Sequence, residues 1–154
     1  MKQLTKVIPY HQSIDPVFRL MLIVGNVVFD FMTSDTKGDS TSTSAQELML
    51  WLRYEGGQVP IGWSTGPVAT ITGLYGKTWK LYQGVNQDTG IMVSSLLVNP
   101  ADQFYGRFQG DIKDWLLKMV DQGLFSTSTY VNVGNAGMEP CKSCSLPMAG
   151  YRLS

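Results

Sequence analysis

Along residues 46–54 apolar and polar positions alternate: Leu48, Leu50 and Leu52 fall on one side, and Glu47, Met49, Trp51 and Arg53 on the other. A period of two predicts a strand with its leucines against a core. The same period runs from Leu22 to Thr33, with Val27, Phe29 and Phe31 on one face and Asn26, Val28 and Asp30 on the other. "TSDTKGDSTSTSA" (33–45) is a Ser/Thr/Gly/Asp loop between these strands. "VATITGL" and "KTWKLYQGV" predict a hairpin turning near Tyr75 and Gly76, "GIMVSSLLV" (90–98) predicts a further strand, and "STYVNVG" (128–134) another. One stretch changes period. In "GDIKDWLLKMVDQG", Ile112, Trp115, Leu116, Met119 and Val120 recur at i, i+3, i+4, i+7 and i+8, which predicts an amphipathic helix opened by Asp111 and ended by Gly123. Trp79 and Trp115 read as core.

About seven strands and one helix point to an all-β fold, mostly antiparallel, with sheet packed on sheet. The chain has 154 residues, enough for one core. Residues 1–21 carry no clear period and read as an irregular lead-in, leaving 22–154 as the domain. A formal net charge of zero, with no cluster of lysines or arginines, gives no footing for nucleic acid or an anionic membrane. The longest apolar run, "VFRLMLIVGNVVF", is interrupted by Arg19 and Asn26 and is too short to span a membrane. The N-terminus does not read as a secretory signal, because "VIPYHQSIDP" breaks any apolar stretch. Cys141 and Cys144, in "CKSC", together with the single His11 cannot complete a four-ligand zinc site. The two thiols read as incidental or as a local disulfide, and His11 as a surface histidine. No metal or cofactor is expected.

The face shared by Glu47, Met49 and Trp51 carries a carboxylate, a thioether and an indole. An indole can stack on the apolar face of a pyranose while a carboxylate stands near its anomeric carbon. Asp30 lies on the corresponding face of the preceding strand, and Glu139 stands in "NAGMEPC", after a strand and before Pro140. Glycoside hydrolysis needs two carboxyls, one ionised and one carrying a proton. A third beside the nucleophile can share a proton with it.

Six segments in order carry a family resemblance. "FDFMTS" is similar to a Y-D-L/M-F-T-S strand, "QELMLWL" to Y-E-L/I-M-I-W-L, "VPIG" to a P-I-G loop, and "KTWKLYQGVN" to a T-W-x-L-Y-x-G-x-N hairpin. "QGDIKDWLLKMVDQG" resembles an S-G-D-I-K-D-F-F-x-Y-L helix and "GMEP" a G-T-E-P segment. Together they resemble glycoside hydrolase family 12, the small endo-β-1,4-glucanases and xyloglucan-specific endoglucanases. The resemblance implies a β-jelly-roll sandwich of two antiparallel sheets with one α-helix. It implies Glu47 as nucleophile, Glu139 as acid and then base, and Asp30 as the nucleophile's partner. Asn26, Met49 and Trp51 would line the sugar site, and Pro60, Ile61 and Gly62 the cleft's edge. Retention of anomeric configuration is implied, with Glu47 and Glu139 about 5–5.5 Å apart. So are an extracellular location and a β-1,4-glucan substrate such as cellulose, β-glucan or xyloglucan.

Residues 1–21 resemble none of the family's first strands, so the sandwich is expected to be incomplete. "EPCKSCSLPMAGYRLS" replaces the family's continuation, and Asn135 and Met138 stand where it has glutamine and threonine. The main reading is a retaining endoglucanase. The alternative is a truncated, non-catalytic relative that binds glucan or a proteinaceous glucanase inhibitor. A generic adhesion module would leave the three carboxylate motifs unexplained.

Overall fold

The computed structural model describes residues 25–140. The lead-in, His11, Cys141 and Cys144 lie outside the described residues. Within them run β1 (Gly25–Ser34), β2 (Gln46–Glu55), β3 (Ala69–Leu74), β4 (Lys77–Val85), β5 (Met92–Val98), the helix α1 (Ile112–Asp121) and β6 (Tyr130–Pro140). All six strands join one sheet in the order β3-β4-β5-β2-β1-β6.

The all-β architecture with one helix is the expected one, with two differences. The described strands make a single sheet, not two, and β2 and β5 run parallel in it while every other pair is antiparallel. A period of two fixes which face a side chain takes, but not which strand becomes the neighbour or its direction. The third correction concerns β6. "STYVNVG" predicted a strand ending at 134, yet pairing with β1 continues to Gly25↔Pro140. The glycines at 134 and 137, weak strand formers, are carried by β1's ladder.

Alternation in β2 then builds two layers. Leu48, Leu50 and Leu52 are buried with Phe29, Phe31, Trp79, Leu81, Leu96 and Val98, and α1 lays Ile112, Trp115, Leu116 and Met119 on them. Trp79 and Trp115 have no exposed surface, as their apolar setting required. Asp111 caps α1 by accepting from Lys113 N–H at 2.9 Å, and Gly123 follows at φ +74. The β3–β4 turn has Tyr75 at φ 52 and Gly76 at φ 70, the double positive φ of a type I′ hairpin. On the opposite face Val28, Met49, Trp51, Tyr82, Val93 and Leu97 form a second cluster. The face that carries the carboxylates is therefore an apolar floor.

Candidate active site

Register brings the three acids together. Asp30 is opposite Met49 and Glu47 opposite Met32, so both carboxyls rise from the same face two positions apart. On β1's other side Asn26 pairs with Glu139 and Asp30 with Asn135. Asp30 and Glu47 share a side-chain hydrogen bond, and Glu139 stands close enough to act electrostatically on both. The half-buried Glu47 is pushed up to about 7, first by burial and then by the charges of Asp30 and Glu139. Asp30 is also raised, chiefly by burial and next by Glu139, while its hydrogen bond with Glu47 opposes the rise. Both carboxyls are thus shifted upward, so the pair favours sharing one proton over ionising together.

Asn26 is almost fully buried, and its Nδ2 donates to Glu139 Oε2 at 3.0 Å. Alternation places Asn26 on the face of Asp30, where the resemblance implies a sugar contact; in the structure its amide bonds Glu139. Met49 and Trp51 are buried in the floor beside the acids. Arg53 leaves the row. A bulge opposite Val27 and Val28 pairs it with Val27, and its guanidinium reaches Glu55 Oε1 at 2.5 Å and covers the Tyr105 ring at 4.5 Å.

Pro60, Ile61 and Gly62 do not touch the acids. Pro60 is buried, and Gly62, at φ +87, lies so close to β4 that a Cβ there would meet Gln83 O at 2.1 Å. On the β4 side, a Cβ on Gly84 would meet Ile61 Cγ2 at 2.7 Å. Gly84 pairs with Val93, which pairs with Glu47. The loop therefore flanks the cleft two strands, about 10 Å, from Glu47. Trp63 follows immediately in the sequence and stacks on Tyr82 with ring centroids 5.0 Å apart. Neither of these two aromatics was singled out from the sequence. The signal available was an aromatic directly after the P-I-G loop, and a tyrosine two positions before Gly84 on the same side of β4.

The polar loop 33–45 is tied to β6. Asn132 accepts from Gly38 N–H at 2.8 Å and donates to the carbonyls of Thr36 and Asp39, at 3.1 and 2.6 Å. That brace holds the β1–β2 connection, which leads into the start of β2 where Glu47 stands.

Comparisons with known proteins agree with this architecture. Residues 6–151 match the model of glycosyl hydrolase family 12. The xyloglucan-specific endo-beta-1,4-glucanase A of Aspergillus aculeatus is 34% identical over 134 residues, 86% of this chain and 52% of that protein. The inactive glycoside hydrolase XLP1 of Phytophthora nicotianae is 30% identical over 118 residues, 77% of this chain and 46% of that protein. The crystal structure of endoglucanase 3 from Trichoderma harzianum, of family GH12, superposes with a TM-score of 0.60 at 28% identity, over 77% of this chain and 49% of that one. The chain spans about half the length of these relatives. On the family match and the shared sheet, the chain belongs to glycosyl hydrolase family 12.

Proposed function

We propose that this chain is a retaining endo-β-1,4-glucanase acting outside the cell on plant cell-wall glucans: cellulose, β-glucan or xyloglucan. The observation that carries the reading is the hydrogen-bonded Asp30–Glu47 pair with Glu139 beside it, over a floor containing Met49 and Trp51. Glu47 attacks the anomeric carbon, and Glu139, which must enter the step protonated, gives its proton to the departing glycosidic oxygen, so the three carboxyls carry two protons at attack, one on Asp30 and one on Glu139. In the second half Glu139 takes a proton from water, which opens the glycosyl ester on Glu47. Attack requires Glu47 ionised. The proton that the pair shares must then lie on Asp30, so Asp30 stores it while Glu47 carries the sugar. None of these steps draws on a metal or a cofactor.

The direct test is reducing-sugar release from barley β-glucan and from xyloglucan, with Glu47→Gln as the control. Release by the parent chain and none by the variant is expected. A folded parent chain that releases nothing from either polymer overturns the proposal. A 2-fluoro-cellobiosyl donor, which slows breakdown of the ester, should leave a mass adduct on Glu47; an unlabelled but active chain would reject the retaining route.

The alternative reading is a non-catalytic relative that holds glucan or a proteinaceous glucanase inhibitor. One observation favours it: an inactive relative lies among the similar proteins. Glucan or inhibitor binding without sugar release separates it from the first reading.

A further inference from the structure

Trp63 is an exposed tryptophan held on a rigid mount. About half of its surface (47%) is open, whereas Trp51, Trp79 and Trp115 are all buried. A short 3-10 turn, Trp63–Thr65, fixes its backbone. Trp63 N–H donates to Pro60 O at 3.2 Å, Gly66 N–H to Trp63 O at 3.1 Å, and Thr65 Oγ1 to Gly62 O at 2.8 Å. Gly62, pressed on Gln83, clamps the base of the turn to β4. The indole lies nearly parallel to the Tyr82 ring, at 29° and 5.0 Å. Tyr82 in turn is buried among Met49, Trp51, Val93 and Leu97. The stack therefore stands on the face of the sheet that carries the acids.

Register gives the distance. Asn135, Asp30, Met49, Ser95 and Tyr82 form one row across β6, β1, β2, β5 and β4. Neighbouring strands lie about 4.8 Å apart, close to the length of one glucose unit in a β-1,4 chain. A glucan crossing the strands over Asp30 would meet a new strand with nearly every sugar. It would reach the Trp63–Tyr82 stack two to three units from the bond over the acids.

We infer that Trp63, backed by Tyr82, is a stacking platform for a glucose unit of a β-1,4-glucan, two to three units from the cleavage position. A flat indole held in place before binding spends little side-chain freedom on the sugar. The inference rests on the reading of this face as a glucan cleft, but it requires binding only, not turnover.

The test is affinity electrophoresis through gels containing hydroxyethyl cellulose or barley β-glucan. Glu47→Gln serves as the parent so that no polymer is cut, and Trp63→Ala and Trp63→Phe are compared in that background. Circular dichroism and thermal melting check that each variant is folded. Trp63→Ala should bind about tenfold more weakly, and Trp63→Phe should recover most of the retardation. Equal retardation of the parent and Trp63→Ala overturns the platform, as does a parent that is not retarded at all. Retardation that depends on Trp63, in a chain that releases no sugar when Glu47 is restored, would instead refute hydrolysis and leave the platform standing.

Discussion

Asn26 Nδ2 and Glu139 Oε2 are joined by a 3.0 Å hydrogen bond across the β1–β6 pair, between residues 113 apart in the chain. The amide is buried and belongs to a strand paired on both sides, so it can hold the Glu139 carboxyl in one orientation. Asn26→Ala removes that hold. On barley β-glucan, whose leaving group needs a proton, kcat/KM should fall about 10- to 100-fold. On a dinitrophenyl cellobioside, whose leaving group needs none, the fall should be much smaller. Equal losses on both substrates would show that Asn26 is a structural residue.

Asp30 raises Glu47 through both its charge and their shared hydrogen bond. Asp30→Asn removes the charge, so Glu47 should ionise more readily and the acidic limb of the kcat/KM profile should move to lower pH. Because Asp30 also receives the proton, kcat should fall at least about tenfold. A profile of unchanged shape would separate Asp30 from the ionisation of Glu47.

The same raised carboxyl links pH to stability. The folded state keeps a proton on Glu47 up to about pH 7, while an unfolded chain releases it near 4.5. The folded state therefore binds more protons between those values, and stability falls as pH rises through the window. Thermal melting should show a declining Tm from pH 4.5 to 7, and Glu47→Gln should flatten that decline. A Tm that rises across the window would contradict the burial of this carboxyl.

Gly62 combines a left-handed φ of +87° with direct contact on Gln83. Gly62→Ala should cost at least about 2 kcal/mol in urea unfolding. Gly76, at φ +70° with open space around its Cβ position, carries only the backbone penalty, about 1 kcal/mol on replacement by alanine. Equal costs would mean that the 60–66 loop does not press on β4.

Trp115 is fully buried and packs on Phe31, ring to ring at 5.2 Å. Trp115→Ala should cost about 3–5 kcal/mol and loosen α1 from the sheet. A denaturant midpoint close to that of the parent chain would refute this role.

Much of the architecture was legible in local pattern. The leucines of β2, the aromatic face of β1 and the heptad-like spacing of α1 each state which side is buried, because a strand or helix repeats on a fixed period and water drives the apolar side inward. Alternation alone put Asp30 and Glu47 on the faces away from the leucine core; the roles expected of them and of Glu139 came from the motif resemblance. What the chain could not state locally is which strands become neighbours. That choice follows from closing hydrogen-bond ladders between segments far apart in sequence, and it is decided by the whole sheet at once. Only the fold ran β6 on to Pro140, set β2 parallel to β5, turned Arg53 out of the row through a bulge, and gave Asn26 to Glu139. The stack of Trp63 on Tyr82 is of the same kind. Its two rings come from a loop and a strand whose meeting depends on two glycines small enough to let the backbones touch.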